Sequence, residues 1–202
     1  MDESDTPLHL VAFFDDAFTF SEARSGGHIL VYFIPGDGED VHPGHRRLNW
    51  VWYVRADEAE LARALVDKDG KQHHASLPQG MVATNVVADL RSRAQREVHP
   101  KLAELVAATR GPFMQTIVDV TVPGTVFGRI MLIGDAAFVV RPHTAGAAAK
   151  AAYDATVLSE SLARAGQNVD AGLKAAESLQ MERGQSLVRY GVALGNRWAK
   201  AR

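Results

Sequence analysis

The stretch Gly128-Arg129-Ile130-Met131-Leu132-Ile133-Gly134-Asp135-Ala136-Ala137-Phe138-Val139-Val140-Arg141-Pro142-His143-Thr144-Ala145-Gly146-Ala147-Ala148-Ala149-Lys150 decides how this chain is read. Arg129 to Ile133 is a run of apolar β-formers and predicts a strand. Gly134-Asp135 predicts a turn, Arg141-Pro142-His143 a loop, and the small residues from Ala145 to Ala165 a long helix. That order puts one carboxylate and a bare helix N-terminus on the same side of a sheet. A polyhydroxylated, anion-bearing ligand needs that pairing. Gly134 at the strand end lets a ligand approach the backbone. Asp135 is placed to accept hydrogen bonds from sugar hydroxyls, as acidic residues do in dinucleotide folds. Taken alone, Gly-Asp is better explained as an ordinary strand-to-helix turn; the flanking residues favour the binding reading.

The helix start, Ala145-Gly146-Ala147-Ala148, is the second half of the candidate site. Helix N-termini leave unpaired N–H groups and a partial positive charge. Residues without bulk let a flat, electron-rich ring lie against those groups, with a stabilisation of about 1 kcal/mol. Alanine is also the best helix former, so tight helix packing explains Ala147 to Ala152 as well. It does not explain the loop before them. Arg141 can neutralise an anionic ring or pair with a carboxylate. His143 can exchange a proton near pH 7, or face solvent as a plain loop residue. Asp154 lies well along the helix and reads as structural.

Composition bounds the rest. The chain has 202 residues, with 47% hydrophobic and 23% charged, ordinary for a globular protein. A net charge of −2 makes no electrostatic case for nucleic acid or anionic lipid. There is no cysteine, which excludes disulfides and thiolate metal sites and is compatible with the reducing cytoplasm, the expected location. No stretch of about 20 apolar residues predicts a membrane span. The acidic start Met1-Asp-Glu-Ser-Asp is unlike a secretory signal.

Elsewhere, four strands are predicted before residue 56: Leu8 to Phe14, Phe18 to Ala23, His28 to Ile34 and Leu48 to Arg55. Asp15-Asp16, Ser25-Gly26-Gly27 and Pro35 to Gly44 separate them. Asp57 is the expected cap of a helix to Leu65. Asp67 to Gln72 reads as a polar loop and Leu77 to Gly80 as a turn. Helices are predicted over Thr84 to Val98 and Pro100 to Thr109, split at His99-Pro100. Pro112 to Val122 predicts a strand. A last helix over Ala171 to Trp198 carries two possible breaks, at Gly184 and Gly191. Trp50, Trp52 and Tyr53 line a ligand cavity or pack a sheet core, depending on register. His73-His74 is not expected to hold a metal, since adjacent histidines diverge and no third ligand has supporting spacing. His42 to Arg47 forms a basic loop, read as a solvated rim.

Gly128-Arg-x-x-Leu-Ile-Gly134-Asp135-Ala-Ala137, with Pro142 and Asp154 at their spacings, resembles the second flavin-contacting motif of the FAD-dependent aromatic hydroxylases. Phe18-Thr-Phe, His28 to Gly36, Leu48-Asn-Trp-Val-Trp-Tyr53 and Arg141-Pro-His-Thr144 look like one branch, the 2,6-dihydroxypyridine 3-hydroxylase-like enzymes. Phe138 stands where many relatives carry histidine, and Ala145-Gly146-Ala147 where many carry Gly-x-Gly. The resemblance covers nearly the whole chain. The Gly-x-Gly-x-x-Gly that holds the FAD pyrophosphate in these enzymes is not found, so the chain resembles their C-terminal half, with the N-terminal Rossmann half absent.

The resemblance implies an α+β fold: a substrate-binding β-sheet with covering helices over residues 1–112, a flavin-contacting strand-turn-helix over 113–165, and a C-terminal helix over 166–202. It implies FAD as cofactor, NADH or NADPH as reductant, and O2 and a small aromatic molecule such as a hydroxypyridine as substrates. Gly134, Asp135, Pro142, Gly146, Ala147, Ala148 and Ala149 are the implied flavin contacts, with Asp135 on the ribityl chain. His143 and Arg141 are the implied catalytic residues. A separate N-terminal half or a second copy of the chain is the implied protein partner, and a form that binds no FAD is the alternative.

Overall fold

The computed structural model describes residues 1–15 and 17–200, with side chains through residue 197; Asp16, half of the expected Asp15-Asp16 turn, lies outside them. The chain divides into two compact units, Met1–Thr116 and Ile117–Lys200.

The first unit opens with α1 (Leu8–Phe14), where a strand was expected. Alternation would have put Leu8, Leu10, Ala12 and Phe14 on one face. Instead Leu10 and Phe14, four residues apart, are fully buried while Leu8 is 85% exposed, which is helical spacing. Pro7 sits at the N-cap position and its carbonyl accepts from the N–H groups of Leu10 and Val11. β1 (Thr19–Glu22), β2 (His28–Ile34) and β3 (Arg47–Tyr53) follow as an antiparallel sheet in that order. The region before residue 56 therefore holds three strands and a helix.

The register pairs Ile29 with Trp52, Val31 with Trp50 and Phe33 with Leu48. These six side chains share one face, and that face packs on Leu10 and Phe14, on Ala94, and on Leu102, Leu105 and Val106. The tryptophans belong to this core, and Trp50 Nε1 donates to Thr109 Oγ1 at 2.9 Å. The helices above the core are α3 (Thr84–Glu97) and α4 (Pro100–Ala108), split at His99-Pro100 as expected. Along the chain, α2 (Glu58–Ala64), closed by a reciprocal cap between Asp57 and Glu60, and β4 (Ser76–Leu77), which pairs with β5 (Met114–Gln115), come between β3 and α3.

The acidic N-terminus is strapped along β3. Glu3 is buried, its carboxylate accepting from the N–H groups of Gly44 and Arg46 and from the Arg46 guanidinium. Arg46 also meets Asp15, and Arg47 meets Asp2 and Asp37. The basic loop is thus neutralised by its own chain.

The second unit holds β6 (Val120–Thr121) paired with β9 (Phe138–Val139), and β7 (Val126–Phe127) paired with β8 (Ile130–Met131). No single strand runs from Pro112 to Val122, because residues 114–115 pair with β4 and residues 120–121 with β9. The strand expected over Arg129 to Ile133 shortens to the two residues of β8, which return on β7 across a Gly128-Arg129 turn with Gly128 at φ +62°. β-forming composition marks strand capacity; a ladder partner decides the length.

Two helices complete this unit, α5 (Ala147–Ala165) and α6 (Val169–Lys200). α5 starts two residues later than expected, since Ala145 is left-handed at φ +50°. α6 runs without a break through Gly184 and Gly191. Those glycines serve packing instead. Gly184, Gly191 and Gly195 are seven and four residues apart and so share one helix face. A Cβ on Gly184 would lie 2.3 Å from the Phe138 ring, one on Gly191 3.1 Å from Thr144, and one on Gly195 2.6 Å from the Arg141 guanidinium. A face without side chains lets the β9 segment and the loop after it lie directly on the helix. Ala137, Phe138, Val140 and Val188 form the core there.

Candidate active site

Gly134 begins a short 3-10 turn, Gly134–Ala136, at φ +59°, a conformation that favours glycine. The turn takes both of its backbone groups away from any sheet ladder. Helix α5 satisfies them. Lys150 Nζ donates to the Gly134 carbonyl at 2.7 Å, and the Gly134 N–H donates to Asp154 Oδ2 at 2.9 Å. Lys150 Nζ and Asp154 Oδ2 are 3.2 Å apart, and both side chains are almost wholly buried. With the glycine held this way, the next residue, Asp135, is turned outward. It is exposed, and its carboxylate makes no hydrogen bond or ion pair among the described residues.

The loop that follows is built from its own hydroxyl. Thr144 Oγ1 donates to the Arg141 carbonyl and accepts from the Gly146 N–H, a local turn closed by a short side chain. Pro142 is exposed within the 3-10 turn Pro142–Thr144. No side chain caps α5. Its first turn closes where the Lys150 N–H meets the Gly146 carbonyl at 2.8 Å. The N–H groups of Ala147, Ala148 and Ala149 are therefore the open donors at the helix end. Ala148 and Ala149 are exposed, and Gly146 and Ala147 half-buried.

Arg141 and His143 are held on the other side of the loop. Arg141 forms a forked ion pair with Asp119, at 2.7 Å for Nη2 and 3.0 Å for Nε, which raises its pKa above the ordinary arginine value. His143 packs against α6, where its Nε2 lies 3.0 Å from the position a Cβ on Gly195 would take. Burial pushes the His143 imidazole below the ordinary histidine range, and the Arg141 charge adds to this; a backbone hydrogen bond at Gly191 and the Asp119 charge oppose it.

Apart from Pro142, which is exposed on the loop between them, the implied contacts and catalytic residues thus fall into two sets. Gly134, Asp135, Gly146, Ala147, Ala148 and Ala149 are brought together by the Lys150 and Asp154 clamp. Arg141 and His143 engage Asp119 and α6. Sequence reasoning missed Lys150, Asp119 and the glycine face of α6. The signal for Lys150 was present, as a lone charged residue in a run of alanines four positions before an aspartate. Phe138 fills the space over Gly184, with Lys150 Nζ 5.8 Å from its ring centroid.

The first unit carries a separate aromatic surface. On the sheet face opposite the core, Phe18 stacks on Tyr32 at 5.1 Å, and His28 lies between Phe20, at 5.1 Å, and Tyr53, at 4.6 Å. Phe18 and Phe20 remain exposed. Burial raises the Tyr53 pKa, with a smaller contribution from Tyr32. An open concavity of about 350 Å³ at the end of β2 includes Tyr32, Ile34, Val41 and Arg46 in its lining. Arg46 is already paired with Glu3 there. His73, from the adjacent histidines, is bonded to Asp67 at 2.7 Å. Among the described residues no cluster of three or more His, Asp or Glu is placed to hold a metal ion, and no helix is long and apolar enough to cross a membrane.

The donor set fits one end of FAD. A free carboxylate suits the ribityl hydroxyls, and three open N–H groups beside small residues suit the electron-rich pyrimidine edge of the ring. Residues 1–119 match the family described as FAD binding domain-like. The chain belongs to that FAD binding domain-like family. It is 31% identical over 175 residues to 2,6-dihydroxypyridine 3-monooxygenase of Paenarthrobacter nicotinovorans, a match covering 86% of this chain and 43% of the relative. The structure of 2,6-dihydroxypyridine-3-hydroxylase from Arthrobacter nicotinovorans superposes with a TM-score of 0.83 at 27% identity, over 96% of this chain and 48% of that one. Klebsiella pneumoniae HpxO, solved in complex with FAD and uric acid, shares the fold with a TM-score of 0.59 at 21% identity, over 95% of this chain and 40% of that one. This FAD binding domain-like chain thus spans less than half the length of these relatives and matches the C-terminal part of the dihydroxypyridine enzyme. The expected α+β fold, a helix-covered sheet joined to the strand-turn-helix of a flavin hydroxylase, agrees with that superposition.

Proposed function

We propose that this chain supplies the substrate-binding and C-terminal portion of an FAD-dependent monooxygenase that hydroxylates an electron-rich aromatic ring, such as a hydroxypyridine, using NADH or NADPH and O2 in the cytoplasm. The observation that carries the reading is the exposed Asp135 carboxylate held beside the uncapped end of α5, in a chain similar over most of its length to a dihydroxypyridine monooxygenase. When bound, FAD supplies the redox chemistry that no side chain can. The protein's part is to bind, orient and move protons. Asp135 accepts hydrogen bonds from the ribityl hydroxyls. The N–H groups of Ala147, Ala148 and Ala149 hold the pyrimidine edge and favour negative charge there. Pro142 and Gly146 supply close backbone approach, whereas Gly134, expected to do the same, is buried against α5 and orients Asp135 instead.

Within the first unit, Phe18, Phe20, Tyr32 and Tyr53 offer an aromatic surface suited to a flat ring. His143, whose basicity burial lowers, is the proposed acceptor of the substrate hydroxyl proton, and the forked bond to Asp119 supports a role for Arg141 in ordering the loop that carries it.

The test begins with purified chain and added FAD, followed by the visible absorbance band and by quenching of flavin fluorescence. Saturable quenching supports the reading. Failure to bind flavin in every preparation, including one mixed with a separately expressed N-terminal half of a relative, would reject it in favour of a catalytically inactive fragment or interaction module. His143→Ala in an FAD-binding preparation is expected to depress hydroxylation more than flavin affinity; equal loss of both removes it from the proton role.

A further inference from the structure

We propose that Lys150 is a positioning residue that locks the two halves of the candidate flavin site, the Asp135 carboxylate and the open end of α5, at a fixed separation. The ligand it serves rests on the flavin reading above; the coupling itself does not.

Lys150 acts at two points. Its backbone N–H closes the first turn of α5 on Gly146 at 2.8 Å, so it stands immediately after the three residues whose N–H groups are open. Its side chain reaches back to the Gly134 carbonyl at 2.7 Å, on the residue preceding Asp135. Asp154, one helical turn further, takes the Gly134 N–H at 2.9 Å with the same oxygen that meets the ammonium. Gly134 is buried, so both of its backbone groups need partners inside the protein. An apolar side chain at 150 would leave the carbonyl with only the Ala137 N–H of its own turn, at 3.1 Å.

The arrangement also resists sliding. A Cβ on Gly134 would sit 3.5 Å from the Ala151 Cβ, so the turn already rests on the helix surface. Displacing it breaks two backbone-to-side-chain bonds and exposes an ion pair whose members are buried. A ligand that bonds both Asp135 and the helix end then meets groups already in place, and binding requires no ordering of the turn.

The experiment is amide hydrogen exchange on the 15N-labelled full chain, with an FAD titration in parallel. In the unsubstituted protein the Gly134 amide should exchange at least roughly tenfold more slowly than that of the exposed Asp135; an unprotected Gly134 amide overturns the proposal with no variant needed. Lys150→Met should cut Gly134 protection by about tenfold or more. Because that change strands Asp154 in the interior, Lys150→Met/Asp154→Leu is measured beside it: the apolar pair keeps the fold, yet Gly134 protection stays lost. Lys150→Arg, which returns a charged donor, should recover part of it.

FAD affinity should fall about tenfold in the folded double variant and recover with arginine. Unchanged Gly134 protection in Lys150→Met, where the Asp154 acceptor is still present, overturns the coupling, and lost protection with unchanged FAD affinity reduces Lys150 to a stabilising residue and overturns the positioning role. If the unsubstituted chain binds no FAD while Gly134 responds as described, the coupling stands and the flavin reading fails.

Discussion

Lys150 and Asp154 lie one helical turn apart on α5, 3.2 Å from each other, and between them they satisfy both backbone groups of Gly134. A buried ion pair contributes little net stability against a well-packed apolar pair, but breaking it leaves one charge stranded. Asp154→Ala is therefore expected to destabilise the protein by about 3–5 kcal/mol, while Lys150→Met/Asp154→Leu costs less than either single change. Urea unfolding of the four proteins, read as a double-mutant cycle, measures the difference.

Asp135 has the opposite character. It is exposed and makes no bond among the described residues, so Asp135→Ala should leave stability within about 0.5 kcal/mol. Each hydrogen bond from a hydroxyl to a carboxylate contributes about 1.5–3 kcal/mol, and FAD affinity should accordingly drop by roughly ten- to a hundredfold. Fluorescence quenching gives the affinity, and a thermal melt shows whether the fold was spared.

Gly184 on α6 receives the ring of the fully buried Phe138. Alanine is the better helix former by about 1 kcal/mol, yet Gly184→Ala should destabilise, because its methyl would overlap the ring and overpacking costs about 1–3 kcal/mol or more. Adding Phe138→Leu should return part of the loss. A Gly184→Ala protein as stable as the parent would show that the β9 segment does not rest on this face.

Glu3 sets a dependence on acid. The Arg46 guanidinium, with the N–H groups of Gly44 and Arg46, holds its carboxyl down from 4.5 to about 2 against the opposing effect of burial. A depressed carboxyl stabilises the folded state fully above its unfolded pKa, and that contribution is lost as pH falls through the folded value. The protein should lose stability between pH 4.5 and about 2, and Glu3→Gln should be less stable at neutral pH with a flatter profile across that window. Urea midpoints measured against pH for both proteins check the sign.

Much of the fold was legible because its signals are local. The β-branched and aromatic run His28–Ile34 became β2 with those bounds. Asp57 caps α2, and the proline after His99 divides α3 from α4. Leu8–Phe14 misled for a local reason as well: strand and helix propensities of Leu, Val and Phe overlap in a short run, and only packing showed that Leu10 and Phe14 fall on one side. The aromatic strand β3 could be read as core or as cavity until the register placed Trp50 opposite Val31.

At the candidate site, sequence alone identified the Gly134-Asp135 turn, the small-residue start of α5 and the structural standing of Asp154, since glycine, aspartate and alanine carry their conformational and hydrogen-bonding preferences within a few residues. The tertiary structure decided what those groups meet. Lys150 reaches Gly134 across 16 positions and Arg141 reaches Asp119 across 22. The glycines of α6 proved to be a packing face for β9 and its loop, where helix breaks were expected. Such pairings depend on which surfaces the packed chain brings within bonding distance, and no short window of residue types encodes that.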